Sequence, residues 1–263
     1  MTRNIPVNQN LVDMEYAVRG SIPRRAQEMQ REGRTIYACN LGNPQALGQK
    51  PITFYRQVLA LLEAEDNITR ERSLVRIAAA NPELFSDNGV APLSDYIIDY
   101  SVNFLEQCQI GMGGYTESKG PLFIRKAIAR YIDLRDGENK ASDPEQIFLT
   151  DGASDAAKRI MELLITGPQD GVMIPIPQYP LYSATVKRCG GVQVNYYPEE
   201  ENDWALTPDI LEESYQRATA DGVRVKCIVM INPGNPTGAI LDTPSINGVV
   251  NFAEQHGLAI IAD

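Results

Sequence analysis

Val225-Lys226-Cys227-Ile228-Val229-Met230-Ile231 runs without a break into Asn232-Pro233-Gly234-Asn235-Pro236-Thr237-Gly238, and a second apolar run, Leu258-Ala259-Ile260-Ile261-Ala262, ends on Asp263. A β-branched run feeding an Asn/Pro/Gly loop reads as a strand that ends in a rigid, polar turn. Between the two runs, Thr243-Pro244 opens a helix, with proline in its first turn. Strand, loop, helix and strand in this order predict parallel neighbours in an α/β sheet. Loops at the carboxyl ends of parallel strands are where open α/β sheets bind ligands, which makes residues 232–238 and Asp263 candidates for a site.

The pattern extends upstream. Residues 146–150 read as a strand, and 153–165 as a helix with apolar positions at helical spacing. Residues 171–176 predict a strand and 180–189 a short helix closed by Gly190-Gly191. A strand follows at 192–197, and Thr207-Pro208-Asp209 opens another helix. The fold class is therefore α/β, a mostly parallel sheet with helices on both faces. Before residue 146 helical signals dominate, at 22–32, 52–63, 69–80, 94–108 and 122–134. Asn67 or Thr69 is placed to cap the third of these, and 36–41 reads as a short strand running into Gly42-Asn43-Pro44. The chain divides into a mainly helical part, 1–110, and a sheet domain, 111–263.

Composition narrows the function classes. With 43% apolar and 22% charged residues, the 263-residue chain can bury a sizeable core. A net charge of −10 argues against nucleic acid or an anionic membrane as partner. The four cysteines, Cys39, Cys108, Cys189 and Cys227, form no CxxC pair, so neither a metal site nor a disulfide framework is expected. The early residues lack the apolar core of a signal peptide, no stretch is long enough to span a membrane, and a cytoplasmic location is the expectation. No GxGxxG follows a strand, and Lys119-Gly120 reverses the order a P-loop needs. The single histidine, His256, precedes Gly257 and reads as part of a helix C-terminus rather than a catalyst.

Several residues near predicted strand ends carry chemistry, each with a plainer alternative. In Thr150-Asp151-Gly152-Ala153-Ser154, small residues let backbone N–H groups approach a phosphate at a helix N-terminus, with Ser154 adding a hydroxyl. The alternative is an ordinary helix start capped by Asp151 or Ser154. In Pro175-Ile176-Pro177-Gln178-Tyr179-Pro180, Tyr179 can lie flat on a π-system or be a buried or interface tyrosine. Asn235 is a hydrogen-bond donor or a turn residue. Asp263 is a partner for a protonated ring nitrogen or an exposed last residue.

Taken in order, these segments resemble fold-type-I pyridoxal-phosphate aminotransferases. Asn232-Pro233-Gly234-Asn235-Pro236-Thr237-Gly238 is specific for the broad family. Four stretches suggest its alanine aminotransferases: residues 14–20 (MEYAVRG), 51–59 (PITFYRQVL), 149–154 (LTDGAS) and 175–182 (PIPQYPLY). The resemblance implies a fold-type-I large domain preceded by a helical arm and an incomplete small domain. It implies that Gly152, Ala153 and Ser154 cradle the phosphate of pyridoxal 5′-phosphate and that Tyr179 stacks on its ring. It further implies that Asn235 meets the phenolic oxygen and Asp263 the pyridinium. Tyr115 matches the tyrosine that reaches the phosphate of the other subunit of a homodimer, and Gly42 lies where the N-terminal loop meets the substrate carboxylate. The implied reaction moves an amino group between an amino acid and a 2-oxo acid, alanine and 2-oxoglutarate being the expected pair. The family's Schiff-base lysine lies beyond Asp263, and the seven lysines at 50, 119, 126, 140, 158, 187 and 226 match no catalytic position. This chain alone is therefore expected to be inactive. Two alternatives remain: a lyase resembling aminocyclopropane-carboxylate synthases, and a non-catalytic dimerising fragment.

Overall fold

The computed structural model describes residues 6–16, 20–37, 42, 44–86, 91–108, 111–137 and 141–263. In chain order the helices are α1 (Gln9–Val12), α2 (Ser21–Arg31), α3 (Phe54–Leu62), α4 (Asp66–Ala80), α5 (Glu83–Ser86), α6 (Asp95–Gln107) and α7 (Leu122–Asp136). Then come α8 (Ala153–Leu164), β1 (Asp170–Pro175), α9 (Leu181–Cys189), β2 (Val192–Tyr196), α10 (Pro208–Ala220), β3 (Arg224–Met230), α11 (Thr243–His256) and β4 (Ala259–Ala262). They form two compact units, Met1–Asn40 with Thr150–Asp263, and Leu41–Leu149. Residues 111–149, assigned from sequence to the sheet domain, thus pack with the helices that precede them.

In the first unit the four strands form one parallel sheet in the order β2-β1-β3-β4. Side chains alternate across a strand, and here both faces are covered. Val172, Ile174, Cys227 and Val229 meet Ala157 and Met161 of α8 and Leu181, Tyr182 and Val186 of α9. Met173, Val194, Tyr196 and Ile228 meet Leu211 and Ala218 of α10 and Val249, Phe252 and Ala253 of α11. Every residue of β1 is buried, the mark of a strand covered on both faces. Each large apolar side chain so buried contributes roughly 1.5–3 kcal/mol. Asp170 opens β1 fully buried, its Oδ2 accepting from the Thr166 hydroxyl at 2.6 Å and the Thr166 N–H at 2.8 Å. Those two bonds, with Arg224 2.9 Å from Oδ1, hold its carboxyl at about 2, well below the usual range. α9 ends as expected, on Gly190 in the left-handed region (φ 74°).

In the second unit Val58, Leu61 and Leu62 of α3 pack on Ile97 and Ile98 of α6. The buried Arg125 of α7 donates to Gly120 O and Pro144 O and pairs with Glu117 and Glu145, fastening the loops on either side of α7.

Some expectations are corrected. Residues 147–150 join no strand: the Leu149 N–H bonds Lys119 O, one loop contact in place of a ladder. Neither Asn67 nor Thr69 caps α4, which begins after Glu65, and the Asn67 amide bonds Ala60 O instead. Gly257 in the left-handed conformation closes α11. His256, in its last turn, bonds Glu212 of α10 at 2.8 Å and stacks on Tyr215 with ring centroids 4.0 Å apart, which ties the two helices together. The strand expected at 36–41 falls largely on residues outside the described set, as do Cys39, Asn43, Lys140 and residues 17–19.

Candidate functional site

The connections around β1 decide where a site can form. From β1 the chain passes through α9 to β2 on one side; from β2 it passes through α10 to β3 on the other. The crevice outside the carboxyl ends of β1 and β3 is therefore a topological switch point, the usual ligand position in an open α/β sheet. The loops leaving β1 and β3 there are 176–180 and 231–242, and Asp263 ends β4 beside them.

The loop after β3 is braced from within. The Gly234 N–H bonds Ala239 O and the Gly238 N–H bonds Gly234 O, each at 2.7 Å, and the Asn232 side chain accepts from the Leu241 N–H at 3.0 Å. Gly234 is required by a close approach, since an added Cβ would collide with the Thr237 hydroxyl. The peptide bonds before Pro233 and Pro236 are cis, as is that before Pro177 in the loop after β1. The bracing leaves Asn235 exposed, and its side-chain amide bonds no described residue. Under the loop is an apolar cavity of about 40 Å³, lined among others by Tyr196, Trp204, Ile231, Asn235 and Leu241.

In the loop after β1, Tyr179 is half-buried. Its hydroxyl accepts from the Tyr16 hydroxyl at 2.7 Å, and the rings meet edge to face with centroids 6.1 Å apart. Tyr16 comes from the segment after α1, so the N-terminal arm braces this tyrosine, a contact the sequence reading missed. Asp263 continues the ladder one step past β4: its N–H bonds Met230 O at 2.9 Å, and its carbonyl accepts from the Asn232 N–H at 2.8 Å. Its Oδ2 accepts from the Tyr182 hydroxyl at 2.5 Å. It is thus more than an exposed last residue. Burial and the neighbouring carboxylate push the Tyr182 phenol above its ordinary range, so it stays a donor.

α8 leads through residues 165–169 back to the start of β1, so its N-terminus lies at the carboxyl edge of the sheet. Gly152 precedes it at φ 94° and ψ 167°, a conformation essentially reserved for glycine. No side chain caps this helix, against the alternative of an Asp151 or Ser154 cap. Gly152, Ala153 and Ser154 are all exposed. The Gly152 N–H bonds Thr150 O at 2.7 Å, which leaves the Ala153 and Ser154 amides and the Ser154 hydroxyl at the positive end of the helix dipole. Tyr115, fully exposed, and Gly42, also exposed, belong to the second unit.

Four of these features match the parts of pyridoxal 5′-phosphate. The uncapped helix start suits a phosphate, the Tyr179 ring a flat heterocycle, the open Asn235 amide a phenolate oxygen, and the anchored Asp263 carboxylate a protonated ring nitrogen. On these observations the residues fit the group. Among the described residues no cluster of His, Cys, Asp and Glu could hold a metal ion.

The family described as Aminotransferase class I and II matches residues 106–263. The chain belongs to it. Over 258 residues this aminotransferase chain is 40% identical to glutamate–glyoxylate aminotransferase 2 of Arabidopsis thaliana, covering 98% of this chain and 50% of that protein. Over 267 residues it is 39% identical to mitochondrial alanine aminotransferase 1 of the same plant, covering 98% and 46%. A crystal structure of an Escherichia coli aminotransferase superposes with a TM-score of 0.68 at 25% identity, covering 99% of this chain and 51% of that one. The chain spans about half the length of the curated relatives it matches.

Proposed function

We propose that this aminotransferase chain binds pyridoxal 5′-phosphate at the switch point and serves an enzyme that exchanges the amino group of L-alanine with 2-oxoglutarate, acting as a homodimer. The observation that carries the cofactor reading is the carboxylate of Asp263, fixed at the end of β4 beside the two loops of the switch point. When bound, the cofactor supplies an electron sink for the bonds around the substrate α-carbon. The amides at Ala153 and Ser154 and the Ser154 hydroxyl would hold its phosphate. Tyr179 would cover one face of the ring and exclude water from it. The Asn235 amide would donate to the phenolic oxygen, and Asp263 would keep a proton on the ring nitrogen. Tyr115 would serve the phosphate of a second subunit, and Gly42 the substrate carboxylate, as the family resemblance implies.

The substrate pair is supported by the motifs at 14–20, 51–59 and 175–182 and by the alanine aminotransferases among the relatives. The glutamate–glyoxylate relatives supply the rival pair. Coupled assays of the gene product carrying this chain separate them. A kcat/KM higher for alanine with 2-oxoglutarate than for glutamate with glyoxylate supports the proposal, and the opposite order overturns its substrate.

A further inference from the structure

The contact between Tyr182 and Asp263 joins residues 81 positions apart and reaches from the core to the edge of the site. Tyr182 is 1% exposed and packs with Met161, Ile174 and Val229. A buried phenol needs a hydrogen-bond partner, and this one finds Asp263 Oδ2 at 2.5 Å, the length of a bond from a hydroxyl to a charged oxygen. The ring is fixed by packing, so the donor is in place before any ligand arrives. Asp263 itself is exposed and follows a strand whose residues are mostly exposed, so its backbone alone does not set the direction of its carboxylate.

We propose that Tyr182 is a positioning residue for Asp263, its buried hydroxyl fixing one carboxylate oxygen so that the other is left as the acceptor for a protonated ring nitrogen. This rests on the reading of Asp263 given above. A carboxylate held in one rotamer meets the ring N–H without losing freedom on binding, whereas a free one must be ordered first. Tyr182 therefore acts only on ligands that carry that nitrogen. A tyrosine that merely filled the core would affect all ligands alike.

The test is binding of pyridoxal 5′-phosphate and of its 1-deaza analogue, in which C–H replaces the ring nitrogen, to the 263-residue chain. The fluorescence of Trp204, the single tryptophan, reports binding from the cavity it shares with Asn235. The quantity read is the ratio of the two dissociation constants, in which any loss of folded protein cancels. The chain is expected to prefer pyridoxal 5′-phosphate by about tenfold or more, the factor given by ~1.4 kcal/mol. Asp263→Asn should abolish the preference, and Tyr182→Phe should cut it severalfold while affinity for the deaza analogue holds. If Asp263→Asn keeps the preference, or the unaltered chain binds neither ligand, the reading of Asp263 falls and the inference with it. If Asp263→Asn abolishes the preference but Tyr182→Phe keeps it in full, only the positioning role is overturned. Equal weakening of both ligands by Tyr182→Phe would overturn it too, leaving Tyr182 a core residue.

Discussion

Gly152 shows how much one residue can decide. Its φ of 94° and ψ of 167° turn the chain into α8 and leave the first amides of the helix open. Gly152→Ala should cost about 1–3 kcal/mol of strain, seen as a lower urea midpoint, together with weaker binding of pyridoxal 5′-phosphate; an unchanged midpoint would refute the strain. Asp170 gives the pH dependence its sign. Its folded pKa is depressed to about 2, so the stability it contributes is present above the unfolded value, about 3.9, and is lost as pH falls toward 2. Tm should therefore drop more steeply between pH 4 and 2 in the unaltered chain than in Asp170→Asn, and parallel curves would contradict this. Tyr179, Asn235 and Asp263 were legible as candidates because each stands at a strand end with a polar or aromatic side chain. Tyr182 was not, because its partner is 81 positions away and nothing local marks the pair. The same limit explains Asn67, whose amide turned from the expected cap to Ala60 O.

At the scale of elements, the βα alternation after residue 150 was readable because buried strands are short apolar runs between Pro/Gly turns. The strands at 170–175, 192–196, 224–230 and 259–262 all agree with that reading to within a residue or two. Residues 146–150 carry the same composition yet pair with no strand, since a strand needs a neighbour that composition cannot supply. Burial within β3 has a chemical consequence. The Cys227 thiol is wholly inaccessible, and burial pushes its pKa up to about 12. Alkylation mapped by mass spectrometry should spare Cys227 in the folded chain and reach it only in denaturant; labelling at the rate of an exposed thiol would mean that β3 is not central. His256 and Glu212 were unreadable as a pair for the same reason as Tyr182, the partners lying on different helices.

At the scale of the molecule, the site follows from the strand order β2-β1-β3-β4, which no single segment announces. The sequence supplied the loops, and the order of the strands put two of them on either side of the switch point and Asp263 next to them. The contact boundary near residue 150 was hidden because the described residues of 111–149 form no strand to mark it off from the helices before it. Since the chain spans about half of its curated relatives, the claim to test first concerns this chain itself: that its cofactor site lies at the carboxyl edge between β1 and β3. Hydrogen exchange followed by mass spectrometry, with and without pyridoxal 5′-phosphate, tests it directly. Slower exchange centred on the start of α8, the loop after β1, residues 231–242 and the end of β4, with α3, α4 and α6 unchanged, is the expected result. Protection centred on the second unit, or none at the strand ends, would contradict the account.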